Sequence, residues 1–197
     1  MPFSGARFLG SECLRGLRWL RCNAADAGAA LDVTRGWTHL DVRSLSLEPV
    51  ADEAVARLVG QCAEGKLPRL VSLGLPVSDA SLEVLLTWQV PAAVGLTLEC
   101  RSSEQAFTLL QAALTRSWRA LISDGAGLEA RLEGRKLTLS LPRVYEPWVR
   151  FFGSLPEGQL DEVLVRGLGS SREEFASAEL AGLAPLLGKA GAVYLEE

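Results

Sequence analysis

The sequence predicts an α/β fold of repeating strand–helix units, and three observations predict it. A short phrase recurs along the chain: an apolar residue, two variable ones, an apolar residue, one variable, and a last apolar residue. The closing alternation of that phrase has the period of a strand with one buried face. Between recurrences lie segments whose apolar residues fall at helical spacing. Much of the chain repeats at intervals of roughly 23 to 30 residues, room for one strand and one helix, so successive strands run parallel in a largely parallel sheet.

The phrase reads Leu17-Leu20-Cys22, Val42-Leu45-Leu47, Leu70-Leu73-Leu75 and Ala93-Leu96-Leu98, and returns as Leu160-Val163-Val165 and Ala190-Val193-Leu195. The first helix is expected over 50–63, where Val50, Ala54, Val55, Leu58, Val59 and Cys62 form one stripe. A second, over 79–88, follows Ser78, whose hydroxyl suits an N-cap. A third, over 104–117, follows Ser103 as its cap and runs its stripe through Phe107, Leu110 and Leu114. A shorter helix is expected in 144–155 and a longer one in 172–188, where Ser171 and Glu174 have the spacing of a capping box.

One stretch departs from the pattern. Residues 128–142 alternate through Leu128, Ala130 and Leu132, turn at Glu133-Gly134-Arg135, and alternate again through Leu137, Leu139 and Leu141. That is the signature of an antiparallel hairpin. The chain is therefore expected as one domain over 1–197, with regular repeats across 14–117 and an irregular second half across 118–197.

The stretch from about 40 to 90 resembles a leucine-rich repeat of the ribonuclease-inhibitor-like type. VRSLSLEPVADEAVARLV and LVSLGLPVSDASLEVLL both give a strand phrase, a short loop, an Asp-containing helix start and an apolar helix, and Leu17–Asn23 (LRWLRCN) matches the strand-plus-asparagine consensus. The resemblance holds over roughly 14–100, and the chain as a whole is similar to divergent repeat proteins of GC-rich, myxobacteria-like bacterial genomes. It implies a short, irregular leucine-rich-repeat-like solenoid with helices on one side of the sheet and a protein-binding inner strand face. On that reading the outward strand positions are Ser44 and Ser46, Ser72 and Gly74, Gly95 and Thr97, Glu162 and Leu164, then Ala192 and Tyr194.

Composition excludes several functions. A net charge of −4 disfavours nucleic-acid and anionic-membrane binding, both of which need a basic surface. The arginines among the first apolar residues break up a signal peptide, and no apolar run is long enough to span a bilayer, so a cytoplasmic location is expected. Of the four cysteines, Cys13, Cys22, Cys62 and Cys100, none forms a CxxC pair, and His39 is the only histidine. Zinc ligation is thereby disfavoured, and reduced cysteines packed in the core are expected. No metal or cofactor is implied.

Candidate site residues follow from the same reading. Binding hot spots favour tryptophan, tyrosine and arginine. The candidates are Trp19 and Arg21 at one end, Tyr194 at the other, and the aromatic run YEPWVRFF (145–152) with Tyr145, Trp148 and Arg150. The tryptophans are otherwise expected as packing residues, with Trp88, Trp118 and Trp148 at equivalent helix ends. GLGSS (167–171) follows a strand and opens a helix, so Gly167, Gly169, Ser170 and Ser171 are the alternative candidates, for an anion. Arg172 stands where GxGxxG needs its third glycine and no Walker lysine follows, which favours a plain serine-capped turn. His39 with Asp41 lacks a positioned nucleophile, and the adjacent carboxylates do not converge.

The sequence thus points to a non-catalytic protein–protein interaction module whose partner is unidentified. The alternative is an α/β enzyme or nucleotide-binding domain that uses the 167–172 turn. The last strand, GAVYLEE, predicts an open edge at which two copies pair as a homodimer.

Overall fold

The structure, a computed structural model, describes residues 18–23, 38–43, 49–140, 146–166 and 178–196. It is α/β with mostly parallel strand pairing, and it divides into two compact units at the Arg101–Ser102 junction.

In the first unit β1 (Trp19–Asn23), β2 (His39–Arg43), β3 (Ser72–Pro76) and β4 (Gly95–Cys100) lie side by side in chain order, every neighbouring pair parallel. The register lines up the middle apolar residue of each phrase: Leu20 opposes Leu40, Leu40 opposes Leu73, and Leu73 opposes Leu96. One backbone contact recurs with each strand. The Arg18 carbonyl accepts from His39 N, the Thr38 carbonyl from Ser72 N, and the Val71 carbonyl from Gly95 N.

This register corrects the second phrase. The strand occupies 39–43 rather than Val42-Leu45-Leu47, and its buried residues are Leu40 and Val42. The same spacing begins at Trp37, five residues earlier. Ser44 and Ser46 lie outside the described residues; in the described strand His39 and Asp41 hold the outward positions.

Helix α1 (Pro49–Ala63) buries Val55, Leu58, Val59 and Cys62, four members of the expected stripe. Helix α2 (Asp79–Thr87) is short because its ends are specified chemically. Ser78 Oγ accepts from Ser81 N, while Ser81 Oγ accepts from Ser78 N at 2.8 Å, so a serine supplies the return bond of a capping box. At the other end the Trp88 N–H closes the helix on the Val84 carbonyl. Leu85 and the buried faces of β3 and β4 share one core with α1 (Leu73, Leu75, Leu96 and Leu98).

The second unit begins with α3 (Ser103–Arg116). Its cap is Ser102, whose side chain accepts from Gln105 N, and not Ser103. Ser103 is instead the first helical residue, and its hydroxyl donates to Asp124 at 2.6 Å. The helix ends on Ser117 in the left-handed conformation, φ 56°. Two residues on comes a strand the periodicity did not predict, β5 (Arg119–Asp124), which buries Ala120 and Ile122. Helix α3 packs on β5, and the division into units precedes that helix.

β5 pairs antiparallel with β6 (Glu129–Glu133), and β6 with β7 (Lys136–Ser140), the expected hairpin. Gly134 makes the tight turn at φ 62°. Parallel order then resumes through helix α4 (Glu146–Ser154), β8 (Leu160–Arg166), helix α5 (Ala178–Leu187) and β9 (Ala190–Glu196). Leu137, Val163 and Val193 share one row of the core side, and Leu139, Val165 and Leu195 the next. The capping box expected at Ser171 and Glu174 lies outside the described residues.

Candidate interaction surface

β2 and β4–β8 alternate buried residues with outward ones, whereas β3 is buried from Leu73 to Pro76 and β9 has no buried residue. The outward residues are therefore the ones free to act.

In the first unit these begin with Trp19, 56% exposed. Its register partner is His39, with ring centroids 6.2 Å apart and planes tilted by 34°. Two residues along β1, Arg21 Nε donates to Asp41 Oδ2 at 2.7 Å, while the guanidinium lies 5.7 Å from the Trp19 ring centroid. Asp41 in turn opposes Gly74, and a Cβ built on Gly74 would stand 2.9 Å from Asp41 Oδ1. The missing side chain lets the carboxylate lie over β3. The result is a cluster of two rings and an ion pair on a polar strand face.

Thr38 Oγ1 lies 2.9 Å from His39 Nδ1, yet the hydroxyl donates its proton to the Arg18 carbonyl at 3.0 Å.

In the second unit one outward row runs Leu121, Arg131, Thr138, Leu164 and Tyr194 across five strands. On one flank Lys136 Nζ stands 2.6 Å from Glu162 Oε2, and Arg131 NH2 stands 2.6 Å from Glu133. The hydrogen bond and the charge of Glu162 hold the Lys136 ammonium pKa above its ordinary value. On the other flank Arg166 Nε bonds Glu196 at 2.8 Å. Leu164, Thr138 and the charged flank line a shallow depression of about 100 Å³. Tyr194 is 53% exposed at the end of the row. Apolar and aromatic groups flanked by mutually neutralised charge make a contact surface of low net charge.

The expected sites fare differently. Trp19, Arg21 and Tyr194 are surface residues of strands, as the outward reading requires. Trp148 meets the packing expectation and is corrected only as a binding candidate: it is fully buried and cannot contact a partner. It packs within a cluster with Phe107, Phe151 and Phe152, because an amphipathic α4 turns its aromatic face to the core. It also departs from the expected equivalence, since Trp88 and Trp118 follow helix C-termini while Trp148 lies in a first helical turn. Arg150 is on the exposed side of α4. Tyr145 and the turn residues Gly167, Gly169, Ser170 and Ser171 lie outside the described residues. Cys62 and Cys100 are buried, and burial pushes the Cys62 thiol up to about 12. Its burial on the apolar stripe of α1 makes it a packing residue.

The sequence reading placed Leu164 and Tyr194 on this row and missed Leu121, Arg131 and Thr138. The cue was present in the charges, because β6 and β7 alternate charged or hydroxyl residues with apolar ones (EARLE, KLTLS). Among the described residues no helix is long and apolar enough to cross a membrane. No protein-family model, curated protein or solved structure matches the chain.

Proposed function

We propose that the chain is a non-catalytic protein-interaction module, a short and irregular leucine-rich-repeat-like solenoid that docks a protein partner on its helix-free strand faces. The observation that carries this reading is the outward exposure of Trp19 and Tyr194 on strand faces whose charged neighbours are already paired. A bulky aromatic left in water on such a face is the usual form of a binding anchor. The backbone contact that recurs at Arg18, Thr38 and Val71 supports the repeat character, since it returns with each successive strand pair from β1 to β4.

The test is capture of the partner with the wild-type chain and with Trp19→Ala and Tyr194→Ala, each checked for unaltered circular dichroism. One stoichiometric protein partner, lost or at least tenfold weakened in either variant, is expected. A partner held equally by wild type and both variants would move the binding surface elsewhere. Recovery of no partner by the wild type would sink the module reading.

A further inference from the structure

β9 pairs along one side with β8, and among the described residues no strand covers its other side. A parallel ladder engages the backbone groups of alternate residues, so the remaining N–H and C=O groups of β9 point away from the sheet. Exposed edges are ordinarily guarded by lysine, proline or a bulge. From Ala190 to Leu195 this strand has no charge and no proline, and its ladder with β8 runs in unbroken register from Glu162↔Ala192 to Arg166↔Glu196. Tyr194 and Leu195, on opposite faces, are both exposed.

We propose that β9 is a self-association strand, pairing antiparallel with β9 of a second copy about a twofold axis through Val193. A twofold axis normal to the sheet keeps each face on its own side, so residues equidistant from the axis oppose one another. Centred on Val193, Tyr194 opposes Ala192 on the helix-free face and Leu195 opposes Gly191 on the helix face. Each large side chain meets a small one, and Val193 meets itself.

Neighbouring registers are poorer. Centring on Tyr194 sets the two rings directly against each other, and centring on Ala192 places Lys189 opposite Leu195. The Val193 register instead brings Lys189 of one copy to the acidic Glu196 end of the other. Lys189 is held only at 3.8 Å by Glu157, which leaves its ammonium able to make that contact. The interface is one strand wide, so the dimer is weak and its population depends on concentration.

Sedimentation velocity of the purified full chain from about 1 to about 200 μM reads this directly. The mass is expected to rise from one chain toward two across that range. Ala192→Lys sets a cation against Tyr194 of the other copy, while its own neighbour in the sheet is Glu162, so it should fold normally and weaken dimerisation at least tenfold. Val193→Cys tests the register, because opposed antiparallel Cα atoms lie roughly 4.5 to 5.5 Å apart, within disulfide reach. Under oxidation it should form a covalent dimer that wild type and Tyr194→Cys do not. A single-chain mass at every concentration overturns the proposal, as does a dimer that Val193→Cys fails to link. Both readouts use purified protein, so their failure is separate from that of the partner-capture test.

Discussion

The ring of Phe107 stands edge-on to that of Trp148, with centroids 4.6 Å apart and planes at 89°. Phe107 comes from α3 and Trp148 from α4, so the contact ties together two helices of the second unit whose sequences are separated by the antiparallel strands. Phe151 completes the group, stacked on Phe107 at 5.1 Å. A fully buried tryptophan among phenylalanines is a large part of a small core. Trp148→Ala should cost about 3 to 5 kcal/mol in urea unfolding, through lost burial and the cavity left behind. A double-mutant cycle with Phe107→Ala should return a coupling of about 0.5 to 1.5 kcal/mol. Trp148→Phe should be much milder, because it also removes a buried indole N–H that has no partner.

Asp124 organises the start of the antiparallel segment. Its Oδ1 accepts from Ala126 N at 2.9 Å and Leu128 N at 3.0 Å, and its Oδ2 accepts from Ser103. One carboxylate thus shapes the β5–β6 turn and fastens it to the first turn of α3. Asp124→Ala should destabilise the chain by roughly 1 to 3 kcal/mol, since two backbone donors lose their acceptor. Asp124→Asn, which keeps an oxygen acceptor, should recover part of that loss. Equal losses in both variants would show that charge, not the turn geometry, carries the effect.

These two residues also show what was legible in the chain. The parallel strands were readable because a strand with one buried face repeats its apolar spacing, as at Leu73 and Leu96. The same rule misplaced the second strand, because VRSLSL offers the identical spacing that begins at Trp37. Only pairing with Leu73 selects Leu40. β5 escaped notice since Ala120 and Ile122 give just two buried positions, too few for a period. Trp148 was legible as a packing residue, and its listing as a binding candidate failed for a related reason. Arg150 within an aromatic run looks like part of a surface patch, and only the helical phase of α4 sends the rings inward. Trp19, Arg21 and Tyr194 were legible as outward residues because alternation within a strand fixes the face locally.

The end of α3 offers a stabilising change. Ser117 closes the helix at φ 56°, ψ 41°, a conformation that costs a residue with a Cβ. Its side chain is exposed, so nothing is lost by removing it. Ser117→Gly should raise stability by up to about 1 kcal/mol, and Ser117→Val should lower it, since a branched Cβ is strained there. The paired shifts in the denaturation midpoint check this, and movement of both in the same direction would refute the strain argument.

The last prediction concerns pH. The Cys62 thiol, buried on α1, has its pKa raised from 9.0 to about 12 by burial. In the unfolded chain the thiol loses its proton near its ordinary pKa, whereas in the folded chain it keeps it. Between those two values the folded state binds more protons, so stability must fall as pH rises through that window. Below about pH 9 the group contributes no pH dependence, and the loss above it approaches 1.4 kcal/mol per pH unit. Lysines and tyrosines titrate in the same range, so the useful quantity is the difference between wild type and Cys62→Val. That difference should be flat up to about pH 9 and then move steadily in favour of the variant. Native Cys62 should also resist thiol reagents at neutral pH and react once the chain is unfolded. A wild-type and variant pair whose stabilities run parallel from pH 8 to 11 would mean that Cys62 is reached by solvent, and that α1 does not seal it against the sheet.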